Sequence, residues 1–524
     1  MKRHITPLNI IFFLEIIVVV LASLGLVSRE AVLVWTGLAV FYMIFSPPED
    51  GLWLVIASIP LFVALPLGEN FDTMANWRVL VAVLFCCLFF KRGISFNLAK
   101  KEDRLELKEN LKHYYGLDVL VLAFLAWGLF SLVAAEYPVL VIKKFLFLVN
   151  VSFLFLIVRN LARSKEGIIR VWRAVATGGA VVLAVAALQA LAVLVVPLAS
   201  FWQFWADKVS RVFYGDALAH LLSFANTWFA YYENNPPTLR LFSVFPDSHS
   251  FALFCVLLVP IFLGLAFHFQ NQRGRYRFYW FLAALALGGV AMSGSRGAWV
   301  AAVPPIIAAV YFYLRKKDSA FLKKIFVSLA LFVVLFAASS LLWPPTLYVF
   351  EAWQEGRGLG AAFSFFERAR SISDFDEISN KGRLEIWQKT FSSIAQRPLL
   401  GVGWGNYAEV LDEDVSVAKK GASAHSLYLD VAAEIGIPGA LILIVLFGNI
   451  FYAAWLVWRS QAEPLFRFFG LVFGVYLIWV VGYGLFDVVL LNDKVLLLFM
   501  VSLATLFGLR NLIFNPEKLS RSEK

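Results

Sequence analysis

The sequence predicts an all-α polytopic membrane protein of about 14 transmembrane helices, within a range of roughly 12–14, and two long extracytoplasmic loops. Of its 524 residues, 60% are hydrophobic and 16% are charged, and the mean hydropathy is +0.76. Soluble domains are closer to about half apolar and a quarter charged. The apolar residues also fall mostly in blocks of roughly 16–25, which is long enough to cross a hydrocarbon core of about 30 Å.

The positions of the apolar blocks give the helix count. They lie near residues 8–26, 31–46, 52–68, 78–90, 117–135, 143–159, 174–198, 248–268, 278–293, 297–314, 325–343, 426–457, 467–486 and 494–510. The first block is long and many others follow it, so we expect a retained helix there rather than a cleaved signal peptide.

Basic residues in the connections set the orientation, because cytoplasmic loops carry an excess of Lys and Arg. The stretches "KRGISFNLAKKEDRLELKENLKHYY", "RNLARSKEGIIRVWR", "NQRGRYR" and "LRKKDSAFLKK" share one side, together with the basic C-terminal tail. We therefore expect both termini in the cytoplasm. Topology accounts for the net charge of +10, so no nucleic-acid partner is predicted. Cys86, Cys87 and Cys255 lie inside apolar segments, where they offer neither a disulfide framework nor metal-ligand spacing.

Blocks and loops together predict five parts of the chain. They are N-terminal transmembrane helices (1–199), a first long extracytoplasmic loop (200–247), central transmembrane helices with an SGSRG turn (248–343), a second long extracytoplasmic loop with amphipathic helices (344–425), and C-terminal transmembrane helices with a basic cytoplasmic tail (426–524). The second loop holds nine Lys/Arg and eleven Asp/Glu, so it has no basic excess.

One stripe of apolar residues predicts an amphipathic helix in the second loop. Leu384, Trp387, Phe391 and Ile394 recur at helical spacing. Such a helix lies at the bilayer interface or packs on the rest of the loop, and the sequence leaves both alternatives open.

Cations at the outer boundary are the most informative candidates for a binding site. Arg240, Arg296 and Arg383 lie there, and Lys143 and Lys144 begin a helix on the same side, against the positive-inside trend. A cation in that position needs an anionic partner. Because the planar guanidinium matches phosphate oxygens in a bidentate way, we expect these residues to bind a diphosphate. The alternative is that they snorkel to headgroups or pair with loop acids.

A histidine at the start of the next apolar block is the candidate general base. His425 has an ordinary pKa near 6.5, so a neutral imidazole can take a proton from a hydroxyl at neutral pH. Tyr428 shares its helical face, whereas Glu434 lies about 180° around and is expected to pair with a polar group elsewhere. We assign supporting positions to His249, Tyr428, Trp387 and Glu434.

Metal binding is not predicted. The pairs "DFD" (374–376) and "DED" (412–414) have the D-x-D form of metal-dependent glycosyltransferases, but this pattern arises often by chance in an acidic loop. No HExxH motif or compact His/Asp cluster is present in the sequence. We expect no cofactor.

Three segments resemble the O-antigen ligase and polymerase family of integral membrane proteins. They are "SGSRGAWV" (293–300), "GRLEIWQKTFSSIAQRPLLGVGWGNY" (382–407) and "AHSLYLDVAAEIGIPGAL" (424–441). The likeness covers roughly residues 235–450, and the first 200 residues match only in hydropathy and span order. The sequence departs from the family pattern at Ser426, where Asn is frequent after the histidine.

The resemblance implies a metal-independent, inverting glycosyltransferase on the outer face of a bacterial cytoplasmic (inner) membrane. Such proteins move a glycan from a polyprenyl (undecaprenyl) diphosphate donor to a glycan or lipid acceptor, in lipopolysaccharide or polysaccharide biosynthesis. The family's catalytic histidine corresponds to His425. Its diphosphate-binding arginines correspond to Arg240 and Arg383, and Arg296 belongs to its SGSR turn, where its role is mainly structural.

Three other functions stay open at this point. A polymerase of the same family would pass the glycan to another repeat unit. A transporter would place ionisable residues at mid-membrane depth, and Glu15 and Glu434 are the clear acids within apolar blocks. A scaffold role would leave the outer cations unexplained. The polar residues concentrate in the two outer loops, which favours chemistry at the membrane surface.

Overall fold

A computed structural model describes residues 6–68, 74–92, 116–223, 227–232, 235–315, 320–354, 378–411 and 423–514. Within these ranges the helices are joined by turns and loops and accompanied by one short β-hairpin, and the predicted all-α polytopic class is confirmed. The "DFD" and "DED" pairs lie outside the described residues.

Nine helices form the N-terminal part of the described chain. They are α1 (Pro7–Ser23), α2 (Ala31–Phe45), α3 (Pro48–Ala57), α4 (Trp77–Arg92), α5 (Gly116–Phe130), α6 (Pro138–Leu161), α7 (Lys165–Ala192), α8 (Leu198–Phe204) and α9 (Ser210–Ser223). Proline opens α1, α3 and α6, where its missing N–H costs nothing. Ser164 caps α7 by accepting a hydrogen bond from the backbone nitrogen of Gly167 at 3.1 Å.

A two-stranded hairpin follows α9. Strands β1 (Phe229–Tyr232) and β2 (Asn235–Leu239) pair antiparallel, with Phe229 opposite Leu239. The region predicted as the first long loop therefore contains α8, α9 and this hairpin, whose short apolar segments gave no hydropathy signal of membrane length. The hairpin leads directly to Arg240 and to the start of the next helix.

Nine further helices complete the described chain. They are α10 (Ser248–His268), α11 (Arg273–Met292), α12 (Arg296–Ala301), α13 (Val303–Arg315), α14 (Ala320–Gln354), α15 (Ile378–Gln396), α16 (Leu427–Arg459), α17 (Pro464–Tyr483) and α18 (Asp493–Phe514). The central helix is α10, whose apolar window is completely buried and which packs against α7, α11, α17 and α18.

Eight helices in the described ranges are long and apolar enough to cross a membrane, and three shorter apolar helices accompany them. The eight are Pro138–Leu161, Lys165–Ala192, Ser248–His268, Arg296–Leu314, Ala320–Trp343, Leu427–Arg459, Pro464–Tyr483 and Asp493–Ile513. The larger count of about 14 spans stays a prediction.

The loop that precedes α16 in sequence is hydrogen-bonded to a kink in that helix. The helix breaks at Ile435 and Gly436, and the loop donates hydrogen bonds to carbonyls near the break: Val402 to Ala433 and Gly403 to Glu434, both at 2.9 Å. Gly436 has a φ of +76°, and a Cβ there would lie 2.0 Å from the carbonyl oxygen of Leu399. Glycine is therefore required at the point where the loop meets the helix.

Candidate active site at the helix ends

His425 precedes α16 instead of opening it. We expected the histidine to share a helical face with Tyr428, but α16 begins at Leu427 and the backbone of His425 is left-handed, with a φ of +46°. The Tyr428 hydroxyl donates to the carbonyl oxygen of Val481 at 2.9 Å, so that side chain anchors α16 to α17. The imidazole is half-buried in the turn before the helix.

Three hydrogen bonds hold the turn that carries His425. The Trp387 indole donates to the carbonyl oxygen of Ala424 at 2.9 Å, and the Ala424 nitrogen donates to Oδ1 of Asp430 at 3.1 Å. On the other side the Leu427 nitrogen donates to the carbonyl oxygen of Gly484 at 2.7 Å. A left-handed non-glycine residue costs about 1 kcal/mol or more, so the surrounding contacts must fix this conformation.

Arg383 lies within electrostatic range of His425. It sits one turn before Trp387 on α15, and both arginine and histidine are half-buried. Burial and the positive charge of Arg383 together lower the pKa of His425 to about 4. The imidazole is therefore neutral at physiological pH and has a free lone pair with which to accept a proton.

A cluster of buried polar side chains surrounds His249, next to the turn that carries His425. His249 Nδ1 lies 3.0 Å from Oγ of Ser295, 3.2 Å from the Tyr483 hydroxyl and 3.4 Å from Oδ2 of Asp487. Its Nε2 lies 3.3 Å from Nη2 of Arg240. Because a guanidinium only donates, we assign Nε2 as the acceptor and Nδ1 as the nitrogen that carries the hydrogen.

The SGSR turn wraps around Arg240. Arg240 is only 3% exposed, and its Nε donates to the carbonyl oxygen of Ser293 at 2.9 Å. Gly294 has a φ of +63°, and a Cβ there would lie 3.1 Å from the Arg240 side chain. Arg296 begins α12 directly after the turn and is half-buried. The turn thus shapes the environment of one predicted arginine and places the other at a helix start.

Asp487 joins the two groups of residues. Burial raises the pKa of Asp487 to about 6, and the charges of Arg383 and Arg240 act against that shift. Asp487 therefore lies within electrostatic range of both arginines. The ends of α11 and α17 and the starts of α10, α12 and α16 meet here, so Arg383, His425 and the His249 group form one polar region at one boundary of the helix bundle.

Sequence reasoning missed several members of this region. Asp487, Tyr483 and Ser295 were not candidates, and neither was Asp247, which caps α10 by accepting from the Ser250 nitrogen at 2.6 Å. Burial raises the pKa of Asp247 to about 6 as well. A usable signal existed for Asp487, since it is an acid in the short connection between two apolar blocks, on the predicted outer side.

Lys144 forms an ion pair next to this polar region. Its ammonium group pairs with the buried carboxylate of Glu434, whose Oε1 also accepts from the Gly405 nitrogen at 3.0 Å. Lys143 is exposed at the adjacent position on α6. Glu434 thus links α6, the loop before Tyr407 and the kink of α16. Diphosphate binding by the two lysines stays a prediction.

The four apolar residues of the stripe on α15 do not all face the same environment. Trp387 and Ile394 turn inward, and Ile394 packs against a small core that contains Val402 and Tyr407. Leu384 is 46% exposed and Phe391 is 56% exposed. One side of the stripe therefore holds α15 against the site, and the other is available to the bilayer interface.

The fold and this region define a multi-span helical membrane protein with a polar site at one boundary of its helices. Residues 281–444 match the family described as O-Antigen ligase. A stretch of 225 residues is 27% identical to the General O-oligosaccharyltransferase of Acinetobacter baylyi, covering 42% of this chain and 36% of that relative's length. The resemblance carried by the three sequence segments is confirmed. The matched region includes Arg296, Arg383 and His425, whereas Arg240 and Asp487 lie outside it.

Proposed function

We propose that this protein is a membrane glycosyltransferase of the O-antigen ligase type. It transfers a glycan from a polyprenyl diphosphate donor to an acceptor hydroxyl on the outer face of a bacterial inner membrane. The observation that carries the proposal is that Arg383 lies within electrostatic range of His425, on a helix whose Trp387 is hydrogen-bonded to the turn of His425, inside the segment that matches the family. The site combines a neutral base with fixed positive charge at a membrane boundary, which suits a lipid-bound phosphorylated donor.

Arg383 binds the diphosphate in this proposal. When the bond between the anomeric carbon and the diphosphate oxygen breaks, negative charge grows on the leaving group. A guanidinium held in place before the reaction offsets that charge without reorganisation, a contribution of roughly 3 kcal/mol. Arg240 is buried beneath the site against Ser293 and His249, so it acts on the same charge through the electrostatic field.

His425 takes the proton of the acceptor hydroxyl. The hydroxyl oxygen forms a new bond to the anomeric carbon as the bond to the diphosphate breaks, and the electron pair leaves with the polyprenyl diphosphate. Attack on the face opposite the leaving group inverts the anomeric configuration. General base catalysis of this kind contributes about 10²–10⁴-fold.

Donor binding adjusts the strength of this base. A pKa of about 4 makes His425 a weak base in the free protein. The negative charge of a diphosphate beside Arg383 stabilises the imidazolium and raises the pKa towards neutrality. His425 therefore becomes an effective base only when the donor is in place.

A transfer assay tests this function. The relative from Acinetobacter baylyi is named for O-oligosaccharyl transfer, so the donor to offer first is an oligosaccharide on a polyprenyl diphosphate. With the purified protein in nanodiscs and EDTA present, we expect transfer to an acceptor hydroxyl. His425→Ala should abolish it, and His220→Ala, at an exposed position on α9, should not.

The acceptor identifies the subtype. A ladder of products from a repeat-unit acceptor would indicate a polymerase, and a single addition to a lipid or other acceptor would indicate a ligase. Absence of transfer to every acceptor, together with substrate flux in proteoliposomes, would contradict the proposal and favour a transporter.

A further inference from the structure

A second charged region lies at the opposite end of the helix bundle from the candidate active site. Helix α10 begins beside His249 and ends at His268. At about 1.5 Å per residue the two ends are roughly 30 Å apart, the thickness of the hydrocarbon core. The turn after α10 and the starts of α7, α11 and α14 meet at this far end.

Cations and aromatic rings interleave there. The Cζ atoms of Arg173 and Arg275 lie 5.3 and 4.9 Å from the centre of the same ring, Phe269. The ammonium nitrogen of Lys324 lies 5.7 Å from the Phe267 ring centre. These five residues are called the basic-aromatic cluster below. Cation–π contact orients the three cations without neutralising them.

Positive charge is in excess in this region. Lys165, Arg173 and Arg275 all lie within electrostatic range of His268, against one carboxylate, Glu463. That carboxylate is already engaged by Lys165, at 2.6 Å. Among the residues that the structure describes, no carboxylate forms an ion pair with Arg173, Arg275 or Lys324. The described residues therefore provide no carboxylate counter-ion for these three cations.

We propose that the basic-aromatic cluster binds the phosphate of an anionic phospholipid, in the leaflet opposite the candidate active site. Guanidinium groups match phosphate oxygens in a bidentate way, and basic pockets between membrane helices bind anionic headgroups. A lipid fits better than a soluble phosphate because Phe278 and Phe281 on α11 are 51% and 57% exposed, and acyl chains would cover them. This inference is independent of the proposed function.

Lipid retention measured by native mass spectrometry tests the proposal, with phosphatidylglycerol as the probe and phosphatidylcholine as the zwitterionic reference. We expect Arg173→Gln/Arg275→Gln to weaken phosphatidylglycerol binding by about 30-fold, since each cation near the surface contributes roughly fivefold. The matched control is Arg273→Gln/Arg277→Gln, which removes the same charge from exposed positions on α11 that have no described ring contact. It should weaken binding clearly less than Arg173→Gln/Arg275→Gln does, because those two arginines are the ones held against the Phe269 ring.

Two outcomes would overturn the proposal. Equal weakening by the two double variants would mean that net charge alone attracts the lipid. Equal competition by glycerol phosphate would mean a site for soluble phosphate. Thermal unfolding in phosphatidylcholine confirms that each variant is folded, and the single variant Arg275→Gln, expected to lose about fivefold, replaces the double variant if that one does not fold.

Discussion

The indole nitrogen of Trp387 donates a hydrogen bond to the carbonyl oxygen of Ala424 across 2.9 Å, and this contact joins the helix of Arg383 to the turn of His425. Arg383 lies on α15 and His425 lies in the turn before α16, so the two residues are on different elements. Their relative position therefore depends on direct contacts between α15 and the turn.

Trp387→Phe should lower the transfer rate by about two- to thirteenfold. The substitution keeps an aromatic ring and removes one hydrogen bond, which contributes roughly 0.5–1.5 kcal/mol. Initial rates at saturating donor measure the effect. Trp353→Phe, at a residue 76% exposed on α14, is the control and should leave the rate unchanged. Equal rates for the two variants would mean that Trp387 does not position the turn.

Asp430 should act as a positioning residue through its side-chain oxygen. Because Oδ1 accepts from the Ala424 nitrogen at 3.1 Å, Asp430→Leu leaves that nitrogen unpaired and should lower kcat by about tenfold or more. Asp430→Asn retains an acceptor oxygen and should recover most of the rate. Steady-state kinetics on both variants distinguish this role from a need for the negative charge, which would make Asn as harmful as Leu.

The Lys144–Glu434 ion pair should contribute to stability. Glu434 is 2% exposed, so Lys144→Met leaves a buried carboxylate without its cation and should destabilise the protein by about 3 kcal/mol. Lys144→Met/Glu434→Leu should be less destabilised than the sum of the two single variants. Thermal unfolding in detergent measures both. Strict additivity would show that the two side chains do not interact.

His425 should titrate near pH 4 in the donor-free protein, and Arg383→Gln should raise its pKa. Removing a nearby positive charge favours the protonated imidazolium, so the shift is upward, towards the ordinary value of about 6.5. NMR of histidine-labelled protein in nanodiscs follows the titration, with His425→Gln to assign the signal. An unchanged pKa in Arg383→Gln would place the guanidinium out of range.

Hydropathy was sufficient to predict the architectural class, because a bilayer requires long apolar helices whatever their packing. It predicted an apolar block over residues 52–68, where the structure has the 10-residue α3 (Pro48–Ala57), and it gave no signal for the hairpin that leads to Arg240, which is shorter than a membrane span. The positive φ of His425 could not be predicted from the sequence either, because tertiary contacts from Trp387 and Gly484 hold the turn in which His425 lies.

The candidate site was predictable where a short segment carries the chemistry. His425 and Arg383 each lie in a recognisable local pattern, and the structure brings them within electrostatic range of each other. Asp487 and Tyr483 contact His249 from a distant part of the chain, since Tyr483 follows His249 by 234 positions. No local pattern encodes such a contact, so the acidic side of the site emerged only from the fold.

In the proposed reaction His425 takes up the proton while Arg383 binds the donor diphosphate. The most direct measurement compares donor binding with single-turnover transfer for wild type, His425→Ala and Arg383→Lys in nanodiscs. We predict that His425→Ala binds the donor as wild type does and transfers no glycan. Arg383→Lys should bind the donor more weakly, because an ammonium group replaces the planar guanidinium that can bind two phosphate oxygens at once. Normal transfer by His425→Ala would contradict the account.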